Sequence, residues 1–525
     1  MPGLVRIIDS PQYLYKFQKA LIFFSKKLLT KVSKRGMISS TKERLYAYRD
    51  HPYANKEDIA LTAAKSKRLS RDFTTGPILP QILLFSLPLM ATSILQKLFN
   101  TADTIMVGRF SGTPEECETA LAAVGSCGSL IDLLVGLFLG LAVGAGVCVA
   151  HDIGAKHYKD VSRVAHTSVI AACVCGVLVS IFGFFMARPL LAMMGTGNGD
   201  QGVLDQAVLY MRAYFFGIPA SLIYNYCAAM LRSSGDTVRP MIFLSVSGVV
   251  NVVFNFILVV GFGLGALGVG IATAISNWIA CFLILAYMFR FDGPCKLELK
   301  KLRVDPKKLR KIILLGIPAG IQGSLFAVSN VMIQSSVNSF GKVVVAGKTS
   351  AANLEAYIYI TQNALYQTAL TLVGQNVGAR KFDRLKRCIL WCTLVVTVIG
   401  ITLGCAVYFF GHALIGIFAP GNEAVIAAGI KKLSITGITQ FLCGLMEVGC
   451  GIMRGLGKSL TPMFVSLIGS CLLRLVWIWT VFACFPSPET LYISYPITWI
   501  ITAATHYICC FITVRKRLRR EAVQG

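Results

Sequence analysis

Of the 525 residues, 55% are hydrophobic and 14% charged, whereas a soluble globular domain carries about a quarter charged residues. That excludes an ordinary soluble enzyme or binding module. The formal net charge of +26 raises nucleic acid as a partner, but the 51 Lys and Arg gather in a few connections and the two ends, the bias that orients membrane proteins, so no nucleic acid is expected.

Residues 1–76 form a basic extension with sixteen Lys and Arg against six acids. Its amphipathic run Tyr13 to Val32 has an apolar face around Leu21, Ile22, Phe23 and Phe24 that suits contact with anionic lipid, the alternative being a partly disordered tail. No small-residue cleavage site follows that run, so a cleavable signal peptide is not expected, and Met37 is a second candidate start. From Gly76 onward apolar stretches recur, and a helix needs roughly 20 apolar residues to cross the hydrocarbon. Spans are predicted at 79–109, 121–150, 164–187, 208–231, 240–262, 267–289, 311–340, 350–374, 388–411, 431–453, 461–484 and 491–514.

Alternate connections are basic: Lys156, Lys159 and Arg163, then Arg232 and Arg239, then nine Lys and Arg from Arg290 to Lys311, then Arg380 to Arg387, then the tail 515–525. The intervening ones hold Glu115, Glu116, Glu118 and Glu489. This charge pattern predicts a multi-pass plasma-membrane protein with both termini cytoplasmic.

Three registers repeat between the halves. The stretch 151–160, with Gly154-Ala-Lys156, aligns with 375–384, with Gly378-Ala-Arg380; the stretch 230–241 aligns with 452–463; and Pro88, Asn100 and Phe110 align with Pro318, Asn330 and Phe340. Six spans is an even number, so the second half enters the membrane in the same sense as the first. The expected fold is an all-α integral membrane protein, with twelve helices in two parallel-repeat six-helix bundles, 77–290 and 311–514. A basic linker at 291–310 joins them, its Asp-Gly-Pro and Asp-Pro pairs interrupting helix formation.

Ionisable residues inside hydrocarbon are costly and mark functional sites. Asp103 is the clearest, sharing one face of span one with Gln96 and Asn100; a carboxylate backed by amides suits reversible binding of a proton or Na+. Asp132, Glu355 and Glu447 are further candidates, with Glu447 the deeper of the last two. Asn251 and Asn255 share a face of span five, and Tyr224 and Asn225 lie in span four, with Asn225 matching Glu447 in the repeat. Any of these amides can instead serve interhelical hydrogen bonding. The ion-coupling set is therefore Asp103, Asp132, Asn100, Asn251 and Asn255; the substrate-cavity set is Gln96, Tyr224, Asn225, Glu447, Glu355 and Asn330.

The 17 Cys sit mostly in apolar runs without metal-ligand spacing, so free thiols and no resident metal or cofactor are expected. Gly451 to Ser459 misses the phosphate-loop spacing by one residue and follows no strand, so ATP hydrolysis is not expected.

Leu87-Pro-Leu-Met90, Phe99-Asn-Thr-Ala-Asp-Thr-Ile-Met-Val-Gly108, the paired Gly-Ala-Lys and Gly-Ala-Arg turns and Leu231-Arg-Ser-Ser-Gly-Asp-Thr237 resemble the multidrug and toxic compound extrusion (MATE) family, in its DinF-like branch. The resemblance covers about residues 76–514. It implies a V-shaped pair of lobes, alternating access, and export of amphipathic, often cationic, compounds by antiport with H+ or Na+, from a monomer that is not an enzyme. Asp103 falls on the family's first-helix coupling aspartate. Where that branch commonly has an aspartate four residues after an asparagine in span five, this chain has Asn255 after Asn251, and Asp132 stands where relatives often carry asparagine. No acid occurs between Lys311 and Phe340, where another branch places one.

Two other readings fit the same architecture. One is a lipid or lipid-linked oligosaccharide flippase, disfavoured by the twelve spans and by few expected interior cations beyond Lys97 and Arg474. The other is a non-transporting membrane sensor or scaffold, which needs no buried carboxylate.

Overall fold

The computed structural model describes residues 72–196, 201–290 and 293–524. The basic extension up to residue 71, with its apolar run and Met37, lies outside the described residues. All regular structure within them is helical.

Twelve passes follow in order. Ile78–Phe110, Pro114–Gly154, Tyr158–Met193, Gln201–Ser233, Val238–Gly261 and Gly265–Arg290 form the first half. Pro306–Asn338, Lys342–Gly378, Phe382–Phe409, the pair Glu423–Gly437 and Gln440–Gly455 bent by 44°, Leu460–Phe482 and Pro488–Gln524 form the second. Lys342–Gly378 is the one whole helix among these passes too polar to be recognised by hydropathy, because it carries Lys342, Lys348, Glu355 and several amides. Several helices outrun the predicted spans: the second begins at Pro114, capped by Thr113 and Glu116 in a reciprocal capping box, and the last continues as helix through the basic tail to Gln524.

The three repeat registers reappear as backbone geometry. Lys156 and Arg380 are the non-glycine residues with positive φ among the described residues, at 59° and 53°, and they occupy equivalent turns. The loop glycines Gly235 and Gly457 match in the same way, with φ of 95° and 77°.

These turns join the lobes at their basic end. A Cβ on Gly154 would lie 1.9 Å from the Gln375 carbonyl oxygen, and one on Gly378 would lie 2.1 Å from that of His151. The side-chain bonds are equally reciprocal: a His151 ring nitrogen meets the Gly455 carbonyl at 2.7 Å, and Gln375 donates to the Ser233 carbonyl at 2.9 Å. A local two-fold relation follows from four residues in equivalent places. Further along, Gly140 and Gly144 of span two meet Gly316 and Gly320 of span seven, backbone to backbone, the small-residue contact that lets membrane helices approach closely.

The lobes also exchange their leading turns. Ile78, Ile82, Phe85 and Leu89 of span one share an apolar core with Leu365, Leu372 and Cys388 of the second half. Ile312 and Leu315 of span seven join the core of the first half. Phe73 is fully buried edge-on against Phe85, and Arg384 donates to the carbonyls of Phe73, Thr75 and Gly76. The linker is docked rather than free: Glu298 and Asp305 bond through their backbone amides to His166 and Thr167, while Lys308 reaches Asp152 at 2.9 Å. The backbone amides of Lys308 and Lys307 hold the Asp305 carboxyl below its usual range as it caps span seven.

Candidate functional site

In the first lobe, Phe99 of span one lies against Gly248 of span five, where a Cβ would come within 1.8 Å of its ring. That close approach brings Asp103 to Asn255. The Asn255 amide donates to the Asp103 carboxylate and also to the side-chain amide oxygen of Asn251 at 3.2 Å, and the Asn251 amide donates to the Thr273 hydroxyl at 3.4 Å. Asp103 is half-buried, seven residues before the end of its helix, or about 10 Å from the acidic end of the lobe at 1.5 Å per residue. Asn251 and Asn255 are buried behind it. Among the described residues Asp103 has no cationic partner, and its one hydrogen bond comes from the Asn255 amide. Such a group can exchange a cation or proton without first dismantling an ion pair.

The other predicted residues divide. Gln96 and Asn100 are exposed on span one, as is Asn330 in the matching place on span seven. Asp132 is exposed and makes no hydrogen bond or ion pair among the described residues; Tyr214 lies within electrostatic range of both it and Asp103. The carboxylate missing from position 255 is therefore not replaced at that position's hydrogen-bonding network. Tyr224 is buried, and its hydroxyl donates to the Pro240 carbonyl at 2.8 Å. Asn225 donates to the carbonyl of Ser221, one turn back in its own helix.

The second lobe is built around cations. Lys432 is buried and meets Glu355 at 2.6 Å, and Thr436 donates to the other carboxylate oxygen. Lys348, also buried, donates to the Gln334 amide oxygen and has Lys432 and Glu355 as its electrostatic neighbours. Arg474 donates through Nε to Thr498 at 3.0 Å and lies over the rings of Tyr495, at 4.3 Å, and Trp499, at 5.9 Å. Toward the basic end, Arg454 bonds Gln322 at 2.8 Å and Tyr366. Glu447 makes no hydrogen bond among the described residues but is in electrostatic range of Arg454.

Of the two acids, Glu355 is the one with bonded partners among the described residues. One expectation is corrected here. The interior cations are not few: Lys348, Lys432, Arg454 and Arg474 are all buried, which removes one of the two grounds against the flippase reading. Lys432 gave little signal because it follows Lys431 near a helix start and looks like a solvated pair.

A backbone feature without sequence signal marks the same positions. Wide π-helical turns begin directly after Asn255 and directly after Lys432, and two of them, Leu467–Leu472 and Ile478–Phe482, bracket Arg474. Such turns frequently accompany functional sites because they re-aim side chains and free backbone groups.

Residues 88–257 and 318–480 each match the MatE family, the two matches starting at the paired prolines of spans one and seven. The chain belongs to the MatE family. Membership makes it a multi-pass membrane transporter and not an enzyme. A probable multidrug resistance protein of Bacillus subtilis, YoeA, is 29% identical over 73% of this chain and 82% of its own length. The probable multidrug resistance protein NorM of Thermotoga maritima is 25% identical, over 75% of this chain and 84% of its own. Among solved structures, a MATE in its bent conformation is similar with a TM-score of 0.78 at 20% identity, covering 86% of this chain and 98% of that one. An outward-facing MATE family transporter gives 0.77 at 20% identity, over 85% and 97%. The twelve-span, two-lobe MatE fold is thus shared with them.

Proposed function

We propose that this MatE chain is a secondary exporter of small amphipathic compounds, driven by antiport with H+ or Na+ through alternating access. The carrying observation is the half-buried Asp103 carboxylate, held by Asn255 and backed by Asn251, with no cation paired to it among the described residues. The names of the curated relatives, multidrug resistance proteins, support the substrate class.

In this reading the basic ends of the helices face the cytoplasm of a cell whose plasma membrane holds the chain, and both termini lie there. The lobes then meet at the cytoplasmic end through Gly154, Gly378, His151 and Gln375, which corresponds to an outward-open state. Ion binding at Asp103 and release of the compound share that open end. Reopening the reciprocal contacts gives the inward state. The working unit is a monomer, since one chain supplies both lobes, and no cofactor beyond the coupling ion is required.

The test is accumulation of a fluorescent organic cation in cells with and without the protein, with proton and sodium gradients collapsed separately. Lower accumulation that depends on one gradient is expected. Equal accumulation under every condition would overturn the reading.

A further inference from the structure

The unexplained feature of the second lobe is an excess of buried positive charge. Lys348, Lys432 and Arg474 stand in one region with two carboxylates, Glu355 and Glu447, and among the described residues only Lys432 is within ion-pair distance of either. Tyr495 and Cys443 each lie within electrostatic range of both Arg474 and Glu355, so these groups form one cluster. The cluster sits toward the acidic end of the lobe: Lys348 is six residues into span eight and Arg474 eight residues before the end of span eleven. That is the end opposite the contacts that join the lobes.

Arg474 is 3% exposed, and a guanidinium does not lose its proton in a protein. Its one hydrogen bond to the described residues runs from Nε to the neutral Thr498, and no carboxylate lies within ion-pair distance of it or of Lys348 among them. The two terminal nitrogens lack a protein acceptor, yet neither is among the sealed, unpartnered polar atoms of the described residues, in contrast to Nε of Arg212 and of Arg454. They therefore keep a face on accessible space. The rings of Tyr495 and Trp499 compensate one side of the cation, and an anion at the accessible terminal nitrogens would compensate it further.

The geometry of the fork narrows the anion. With Nε taken by Thr498, the two terminal nitrogens present the parallel pair of N–H donors that fits a carboxylate bidentately. Tyr495 and Trp499, edge to face with ring centroids 5.6 Å apart, provide aromatic surface beside that fork. We propose that the second lobe binds the carboxylate end of an aromatic organic acid, with Arg474 as the direct ligand and Lys348 as a second attracting cation. The proposal rests on the exporter reading for why such a molecule is bound.

The experiment is isothermal titration of the full chain in lipid nanodiscs with 2-naphthoate, against empty nanodiscs, with chloride as a separate titrant. Saturable 2-naphthoate binding is expected, weakened at least tenfold in Arg474→Gln and partly regained in Arg474→Lys. Lys348→Gln guards against a folding defect at Arg474, since its present partner is a neutral amide; threefold or greater weakening is expected there. Wild-type heats matching empty nanodiscs overturn the proposal. So does unchanged binding in both glutamine variants, or saturable chloride binding without any for 2-naphthoate. Binding needs no ion gradient, so a failure of gradient-driven export leaves this result standing by itself and distinguishes the two.

Discussion

The two lobes descend from one repeat, share their turns residue for residue, and handle buried charge in opposite ways. In the first, Asp103 is met by the neutral amide of Asn255, which Asn251 backs. In the second, Glu355 is met by Lys432 and Thr436, with Lys348 and Arg474 beside them. A carboxylate held by amides can change its charge state without breaking an ion pair, whereas a paired one is locked, because removing either partner strands the other. Equal architecture therefore supports unequal work: ion exchange in the first lobe and a fixed cationic framework in the second.

The sharpest way to break that contrast is to remove Lys432. Lys432→Met leaves Glu355 buried without its cation, and a loss of about 3–5 kcal/mol in stability is expected from stranding one partner of a buried pair. Adding Glu355→Gln should recover most of it, since neutral groups replace both charges. Thermal unfolding in detergent measures both; equal stability of the single and double variants would show that the pair is not the framework.

Asp103→Asn is expected to do the reverse. Stability should stay within about 1 kcal/mol, the scale of one hydrogen bond, while gradient-driven export of an organic cation falls at least about tenfold, a difference of roughly 1.4 kcal/mol in the driving equilibrium. Proteoliposomes with an imposed gradient provide the readout. Undiminished export would remove Asp103 from the coupling role.

The reciprocal glycines test whether the shared part of the lobes behaves symmetrically. Gly154→Val and Gly378→Val each place atoms inside the opposing carbonyl's contact distance and should force the basic ends apart. Faster amide hydrogen exchange is expected at both 151–158 and 375–382 in either variant. A change confined to the mutated lobe would argue against a common latch. The smallest effect is expected at Asn251→Ala, where losing one intramembrane hydrogen bond network costs about 0.6 kcal/mol; the same unfolding measurement resolves it against Lys432→Met.

How much of this was legible beforehand depends on the distance over which each signal acts. Asp103 stands out because an acid inside an apolar window is rare, and Asn251 with Asn255 because four residues place two side chains on one helical face. The repeat was legible because the turns keep their residue types, as at Gly235 and Gly457, where a positive φ favours glycine locally. The pairing of Glu355 with Lys432 was not, since the two are 77 residues apart and each alone resembles a solvated helix-end charge. Nor was the partner of Tyr224, a polar tip in a membrane helix whose hydroxyl donates to the Pro240 carbonyl.

Composition, apolar periodicity and loop charge by themselves determined a twelve-span membrane protein in two parallel halves with an acid in span one, because partition into lipid and turn geometry act on short stretches of chain. Only the tertiary structure decided which charges meet, where the helices widen into π turns, that the lobes exchange their leading turns, and that the second lobe carries unpaired cations. Those features arise from contacts between helices far apart in the chain, where packing geometry and not residue type selects the partner.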